Sequence, residues 1–326
     1  MKNKLEILVA SLCCVAVVGV AINDARAQSF PARPVKIVVP FAAGGPADSI
    51  GRILATKLGM MWNQPVLVEN KVGGGGNIAS DITAKAAPDG YTLLLAANSH
   101  VTNGSLYTSL SYDPIKDFTA VAGVAYYSLI LVVNPGLPLN NLRDVVAYAK
   151  ANPAKLSFGS AGTGTPTHLA AELFKKAAAI NVAHVPYKGA APATTDLLGG
   201  HLQAMFNNPV SALPFVESGK LRAIATTGLK RSPNVPNVPT VSESGYEGFE
   251  VGTWYAVLGP AGMDRNIVSK ISSDVATILK MSDVIKKMNS EGIEIRSNSP
   301  EELSLIMLSE QKKWSKLIKD ENIKID

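Results

Sequence analysis

Short continuous apolar runs alternate along this chain with glycine-rich turns and with apolar residues spaced three and four apart. Val35–Val39 is such a run, broken by one lysine, and it predicts a buried strand. The turn Pro40–Pro46 follows, and Ile50, Ile53, Leu54 and Leu58 then recur at helical spacing. Val66–Glu69, the run Gly73–Gly76 and a helix through Ile78, Ile82 and Ala86 repeat the same order, stopping at Pro88-Asp89-Gly90 before a strand over Tyr91–Ala97.

The second half of the chain reads likewise. Leu129–Val133 is strand-like and closes at Asn134-Pro135-Gly136, and Leu142–Ala151 reads as a helix. A strand at Leu156–Phe158 enters a second glycine loop, Gly159 to Gly164, from which a helix carrying Leu169, Leu173 and Phe174 leaves at Pro166. Val182–Pro186, Leu202–Phe206 and Leu221–Thr226 are further short strands; the loop Tyr187-Lys188-Gly189 opens a helix through Leu197 and Leu198. After the proline-rich stretch Pro233–Pro239, Trp254–Leu258 predicts a strand that crosses back to the first half. Ile267, Ile271, Val275 and Ile278 mark one helix. Ser299-Pro300-Glu301-Glu302 has the form of a capping box opening another, which carries Leu303, Ile306, Met307 and Trp314. These strand–turn–helix units predict an α/β chain, and its 326 residues exceed what one hydrophobic core usually organises, so two domains are expected.

The first residues change where this fold is expected to work. Lys2 and Lys4, an apolar stretch from Ile7 to Ile22 and the small-x-small site Ala25-Arg26-Ala27 have the form of a secretory signal peptide over residues 1–27. Cys13 and Cys14 both lie inside it, and Leu12 is too large for lipoprotein processing. The chain from Gln28 is then expected to be exported, unanchored and free of thiols, which closes disulfides, thiolate metal sites and cysteine nucleophiles. Lys2, Lys4, Arg26, Glu6 and Asp24 set aside, 28 lysines and arginines face 24 aspartates and glutamates. No basic stripe is interleaved with aromatics, so nucleic acid is not expected as a partner, and no oligomer is called for.

Both glycine loops enter helices, whose first turns carry unpaired N–H groups and a partial positive charge; such loops are ready anion sites, although tight turns use glycine for shape alone. Neither loop cradles a nucleotide: Thr165-Pro166 stand where a phosphate-binding loop needs Lys-Ser/Thr. Ser160 is one glycine short of a G-x-S-x-G elbow, and His100, His168, His184 and His201 form no H-E-x-x-H or comparable metal pattern. Asp48 either caps its own helix or orients the first loop, Lys188 is either a ligand cation or a solvated one, and Trp254 either core or cleft wall. A hydrolase using Ser160 and His168 is one alternative, and a ligand-sensing module for a signalling protein another.

The motifs Pro40-Phe41-Ala42-Ala43-Gly44-Gly45-Pro46-Ala47-Asp48, Gly73–Asn77, Ala87–Leu93, Gly159–Gly162, His184–Gly189, Asp196–Gly200 and Pro239–Val241 occur in an order that resembles the Bug family. These are the extracytoplasmic solute receptors of tripartite tricarboxylate transporters, TctC-like proteins. The resemblance covers essentially the whole chain after residue 27. It implies a two-lobed periplasmic-binding-protein fold of type II, with a ligand cleft between a first lobe of residues 28–127 plus 252–326 and a second of residues 128–251. It further implies a periplasmic protein without catalysis, metal or cofactor, which captures a small organic carboxylate and delivers it to membrane permease subunits. Carried onto matching positions, the ligand would be held by Phe41, Ala43, Gly44, Gly45, Ala47 and Asp48 on one side. Ser160, Ala161, Gly162, Thr163, Gly164, Thr165 and His168 would hold it on the other. Relatives commonly carry Phe-Asp-Asn where this chain has Phe206-Asn207-Asn208, and a neutral Asn207 suits an acid without an amine.

Overall fold

A computed structural model describes residues 30–152 and 155–320. The expected signal peptide over 1–27, with Cys13 and Cys14, lies outside the described residues. From Arg33 onward the chain forms two sheets, each flanked by helices.

In the first sheet the strands β1 (Val35–Val39), β2 (Val66–Asn70) and β3 (Thr92–Ala97) run parallel, β1 in the middle. With connecting helices α1 (Pro46–Trp62) and α2 (Asn77–Ala84) packed on the sheet, β1 and β3 are almost wholly buried and read as apolar runs, whereas β2 at the edge is only half-buried, with Leu67 exposed. After helix α3 (Ser99–Leu106), β4 (Phe118–Ser128) enters the same sheet antiparallel to a much later strand, β10 (Gly252–Pro260), and β10 pairs with β3.

The second sheet takes the intervening segment. Its order is β7 (Ala183–Pro186), β6 (Ser157–Ser160), β8 (Ala204–Asn207), β5 (Ile130–Val133), β9 (Arg222–Thr226). Here β6, β7 and β8 are parallel, and β5 is antiparallel to both its neighbours. Helices α4 (Leu142–Ala151), α5 (Pro166–Ala177), α6 (Ala190–Leu198) and α7 (Pro209–Glu217) connect these strands. Each sheet has its own core: Leu94, Val101, Leu258 and Met307 belong to the first, and Ile130, Leu197, Met205 and Leu213 to the second.

The chain passes between sheets twice, once at Leu129 and once before Gly252, and buried Thr227 ties the two passages together. Its Oγ1 accepts the Leu129 N–H at 2.7 Å and donates to the Val251 carbonyl at 2.5 Å. Beyond β10, helices α8 (Arg265–Ile278) and α9 (Ser282–Ser290), edge strand β11 (Glu294–Asn298) and long helix α10 (Pro300–Asp320) complete the first unit. The capping box at the start of α10 forms as predicted: Glu302 N–H donates to Ser299 Oγ and Ser299 N–H to Glu302 Oε2. No helix among the described residues is long and apolar enough to cross a membrane.

Candidate ligand cleft between the two sheets

In open α/β sheets ligands bind beyond the carboxyl ends of the parallel strands, where the loops to the helices begin. Here those ends of both sheets face each other. They approach closely: a Cβ placed on Gly75 would lie 2.5 Å from the Thr163 carbonyl oxygen, and one on Gly189 would lie 3.0 Å from the Ala42 methyl. Gly75 (φ 63°) and Gly189 (φ 139°) also hold backbone angles that disfavour any side chain. Glycine is therefore required at both positions for the two halves to come this close.

Two cavities that share Phe41 and Ala161 in their walls lie in the cleft. The inner one, about 30 Å³, has space for a carboxylate-sized group and is lined by the first turns of α1, α5 and α6 and by Asn208, the N-cap of α7. Four helix N-termini thus converge on it, and none of its lining residues carries a charge. The first-turn amides of Ala47, Asp48, Thr167, His168, Ala190 and Ala191 have no acceptor within their own helices, because a helix leaves its first N–H groups unpaired. Each helix end contributes a partial positive charge, so an anion is favoured there by dipoles alone, by roughly 0.3–1 kcal/mol per helix and more where water is excluded. On the far wall the hydroxyls of Tyr127 and Tyr255 share a hydrogen bond of 3.2 Å. Burial holds both phenols neutral, Tyr127 at about 12 and Tyr255 well above its ordinary value, so they remain hydroxyl donors.

Phe41 and Ala161 also line the outer cavity, about 250 Å³, whose other walls include Gly73–Gly76, Tyr107, Thr163, Tyr187 and the one formal charge, Lys188.

The predicted site residues fall into three groups. Phe41, Gly45, Ala47, Ala161 and Thr165 line the inner cavity, and Gly162 and Thr163 join Phe41 and Ala161 around the outer one. Ala43 and Gly44 are exposed at the tip of the first loop. Asp48, Ser160, Gly164, His168 and Asn207 are buried, line neither cavity and hold the loops in shape.

Their bonds explain that last role. The Asp48 carboxylate accepts from Gly44 N–H (3.2 Å), from both Arg52 nitrogens (2.9 Å) and from Asn70 Nδ2 (3.0 Å), which also donates to the Phe41 carbonyl. Burial alone would raise the Asp48 pKa; the hydrogen bonds from Arg52, Asn70 and Gly44, with the Arg52 charge, outweigh it and hold the carboxyl below its usual range. In the second loop Ala161 N–H donates to Thr167 Oγ1 (2.8 Å), Gly162 N–H to Ser160 Oγ (3.2 Å) and Gly164 N–H to His168 Nδ1 (3.1 Å). Most donors of that loop are therefore spent inside it, and the anion-facing amides are those of the α5 first turn. Ser160 Oγ lies 2.6 Å from His184 Nε2, not against His168, and Ser160 is fully buried. Asn207 Nδ2 donates to Thr194 Oγ1, and its Oδ1 accepts from Asn208 N–H.

Several residues that matter escaped the sequence reading: Tyr127 and Tyr255, Asn70, Ala190, Asn208, Tyr107 and His184. The Asn208-Pro209 pair did carry a signal, since an Asn N-cap followed by Pro at the first helical position opens a helix.

A model of the tripartite tricarboxylate transporter family receptor matches residues 50–323. The chain belongs to that receptor family. Solved structures that it resembles include the periplasmic binding protein BugD, with 36% identity and a TM-score of 0.87 over 90% of this chain and 99% of that one. A Rhodopseudomonas palustris protein solved with adipate has 34% identity and a TM-score of 0.86, over 90% and 98% of the two chains. MatC from the same organism, with bound malate, has 32% identity and a TM-score of 0.85, over 89% and 100%. The fold is accordingly the two-lobed fold of the periplasmic binding proteins, and this receptor is a solute-binding protein by family.

Proposed function

We propose that the receptor captures a small organic carboxylate in the cleft and releases it unchanged to the membrane permease subunits of a tripartite tricarboxylate transporter. The observation that carries the reading is the uncharged inner cavity ringed by helix N-termini. Such a site binds an anion through fixed dipoles that need no counter-charge and gain strength when closure removes water. Release stays easy because no buried ion pair has to be broken.

The lobes are residues 28–127 with 252–326, and 128–251, turning about the two passages tied by Thr227. The carboxylate sits among Phe41, Gly45, Ala47, Ala161 and Thr165, with Tyr127 and Tyr255 behind it. The body of the acid extends past Phe41 toward Lys188, which favours an acid with a second polar or anionic end; relatives solved with adipate and malate support this. Neither cavity is lined by an acidic residue that could pair with an ammonium group, which favours an acid without an amine. The full burial of Ser160 speaks against nucleophilic attack and for binding without turnover. The family of transporter receptors supports a periplasmic location.

The test is a thermal-shift screen of the protein against carboxylic acids, with recovery of the bound molecule by native mass spectrometry. A ligand that binds only the folded state at a hundredfold excess over its Kd adds about 2.7 kcal/mol of stability. A rise in Tm with an amine-free acid recovered intact is expected. A shift only with amino acids, or hydrolysis of an ester, would overturn the reading.

A further inference from the structure

His168 in the first turn of α5 and His184 in β7 stack face to face, ring centroids 3.9 Å apart and planes within 20° of parallel. Neither lines a cavity. The charged groups facing them are Glu172 and Lys175 of α5: His168 Nε2 is 3.7 Å from Glu172 Oε1, and Lys175 Nζ holds the same oxygen at 2.9 Å. Two cations could not be stacked at this separation away from water. Burial pushes His168 down to about 4 and His184 to about 3; the Lys175 charge adds to both, and His168 adds to the shift of His184. Both rings are neutral at ordinary pH.

Each neutral ring hydrogen-bonds one part of the second loop. His168 Nδ1 takes the Gly164 N–H, which places its own proton on Nε2, toward Glu172. Ser160 Oγ accepts from Gly162 N–H and lies 2.6 Å from His184 Nε2, a hydrogen bond that holds the hydroxyl in place whichever of the two donates. Through these bonds the pair draws in the Gly162 and Gly164 amides. Gly162 (φ 135°) and Gly164 (φ 77°) hold backbone angles that glycine adopts freely and few other residues do, so these bonds select one of several shapes open to the loop.

We propose that the stacked His168–His184 pair is the positioning element of the cleft's second loop, turning two amides inward so that Thr163 and the first turn of α5 are what the anion meets. The proposal rests on the receptor reading for its ligand half only; the loop half is measurable without ligand.

In the full chain, His168→Phe keeps a ring for the stack and removes the Nδ1 acceptor, while His168→Asn returns an acceptor near that position. Loss of one hydrogen bond should speed hydrogen exchange at the Gly164 amide about five- to tenfold in the Phe variant, with the Asn variant close to wild type. Titrations with adipate and malate should show the same five- to tenfold loss in the Phe variant, about, and the same rescue. His184→Leu against His184→Gln provides the equivalent contrast at the Gly162 amide should the first variant fail to fold. Unchanged Gly164 exchange in His168→Phe overturns the proposal, and so does altered exchange with unchanged affinity for an acid the wild type binds. If the wild type binds neither acid, the receptor reading is what suffers, and the exchange result still decides the loop.

Discussion

The first glycine loop is fastened by charge, through Asp48 with Arg52 and Asn70, whereas the second is fastened by neutral groups, Ser160, His168, His184 and the hydroxyls of Thr165 and Thr167. Both end at a helix opened by proline, α1 at Pro46 and α5 at Pro166, and both present glycine to the cleft. The contrast shows that a glycine loop entering a helix can be fastened by either kind of scaffold with no formal charge among the residues lining the inner cavity. Asp48 lines neither cavity, its carboxylate being held by Gly44, Arg52 and Asn70.

The difference predicts unequal responses to substitution. Asp48→Ala leaves Gly44 N–H, Asn70 and Arg52 without their acceptor, and should cost about 2–4 kcal/mol in urea unfolding, with looser binding of any carboxylate. A cost below about 0.5 kcal/mol would mean that the loop holds itself.

Acid should separate the two loops. His100 and His168 are buried and His184 half-buried, all three neutral, with burial the leading cause of folded-state values of about 4, 4 and 3 against 6.5 when free. The unfolded chain then binds more protons than the folded one below pH 6.5, so the stability these groups contribute is lost as pH falls from about 6.5 toward 3–4. Each contributes a slope of about 1.4 kcal/mol per pH unit within that window. Asp48, with its lowered value, keeps its contribution until the pH falls below the ordinary 3.8. Melting followed from pH 7 to pH 4 should therefore decline earlier than the first loop loosens, and a flat profile would contradict neutral burial of the histidines. The smallest effect is expected at Arg52, which is 57% exposed: Arg52→Met should change stability by about 1 kcal/mol or less, with most of it screened by salt.

The inner strands β1 and β3 were legible because they are almost wholly buried, and burial writes a near-continuous apolar run. β4 was not: Thr119-Ala120-Val121-Ala122-Gly123 has no strong pattern, and the strand exists by pairing with β10 on one side and β11 on the other. β11 is mostly exposed along Glu294–Asn298 and carries no apolar alternation, and α7 is a short helix with Pro214 inside it, which masks its helical pattern. In the cleft, the loops announced themselves by glycine. Tyr127 and Tyr255 did not, since two strands far apart in sequence must pair before their hydroxyls meet. Nor did the division of amides between ligand and loop, which depends on where His168 and His184 stack.

The central claim is that an acid is gripped by closing one lobe on the other, and Gly75 is the place to test it. Calorimetric titration of adipate and malate into wild type and Gly75→Val compares a cleft that can close with one whose new side chain meets the Thr163 carbonyl across it. The account predicts that the wild type binds at least one acid and that the variant binds it at least about tenfold more weakly, a difference of about 1.4 kcal/mol, while still folding. Equal affinity in the two proteins would contradict closure as the source of binding.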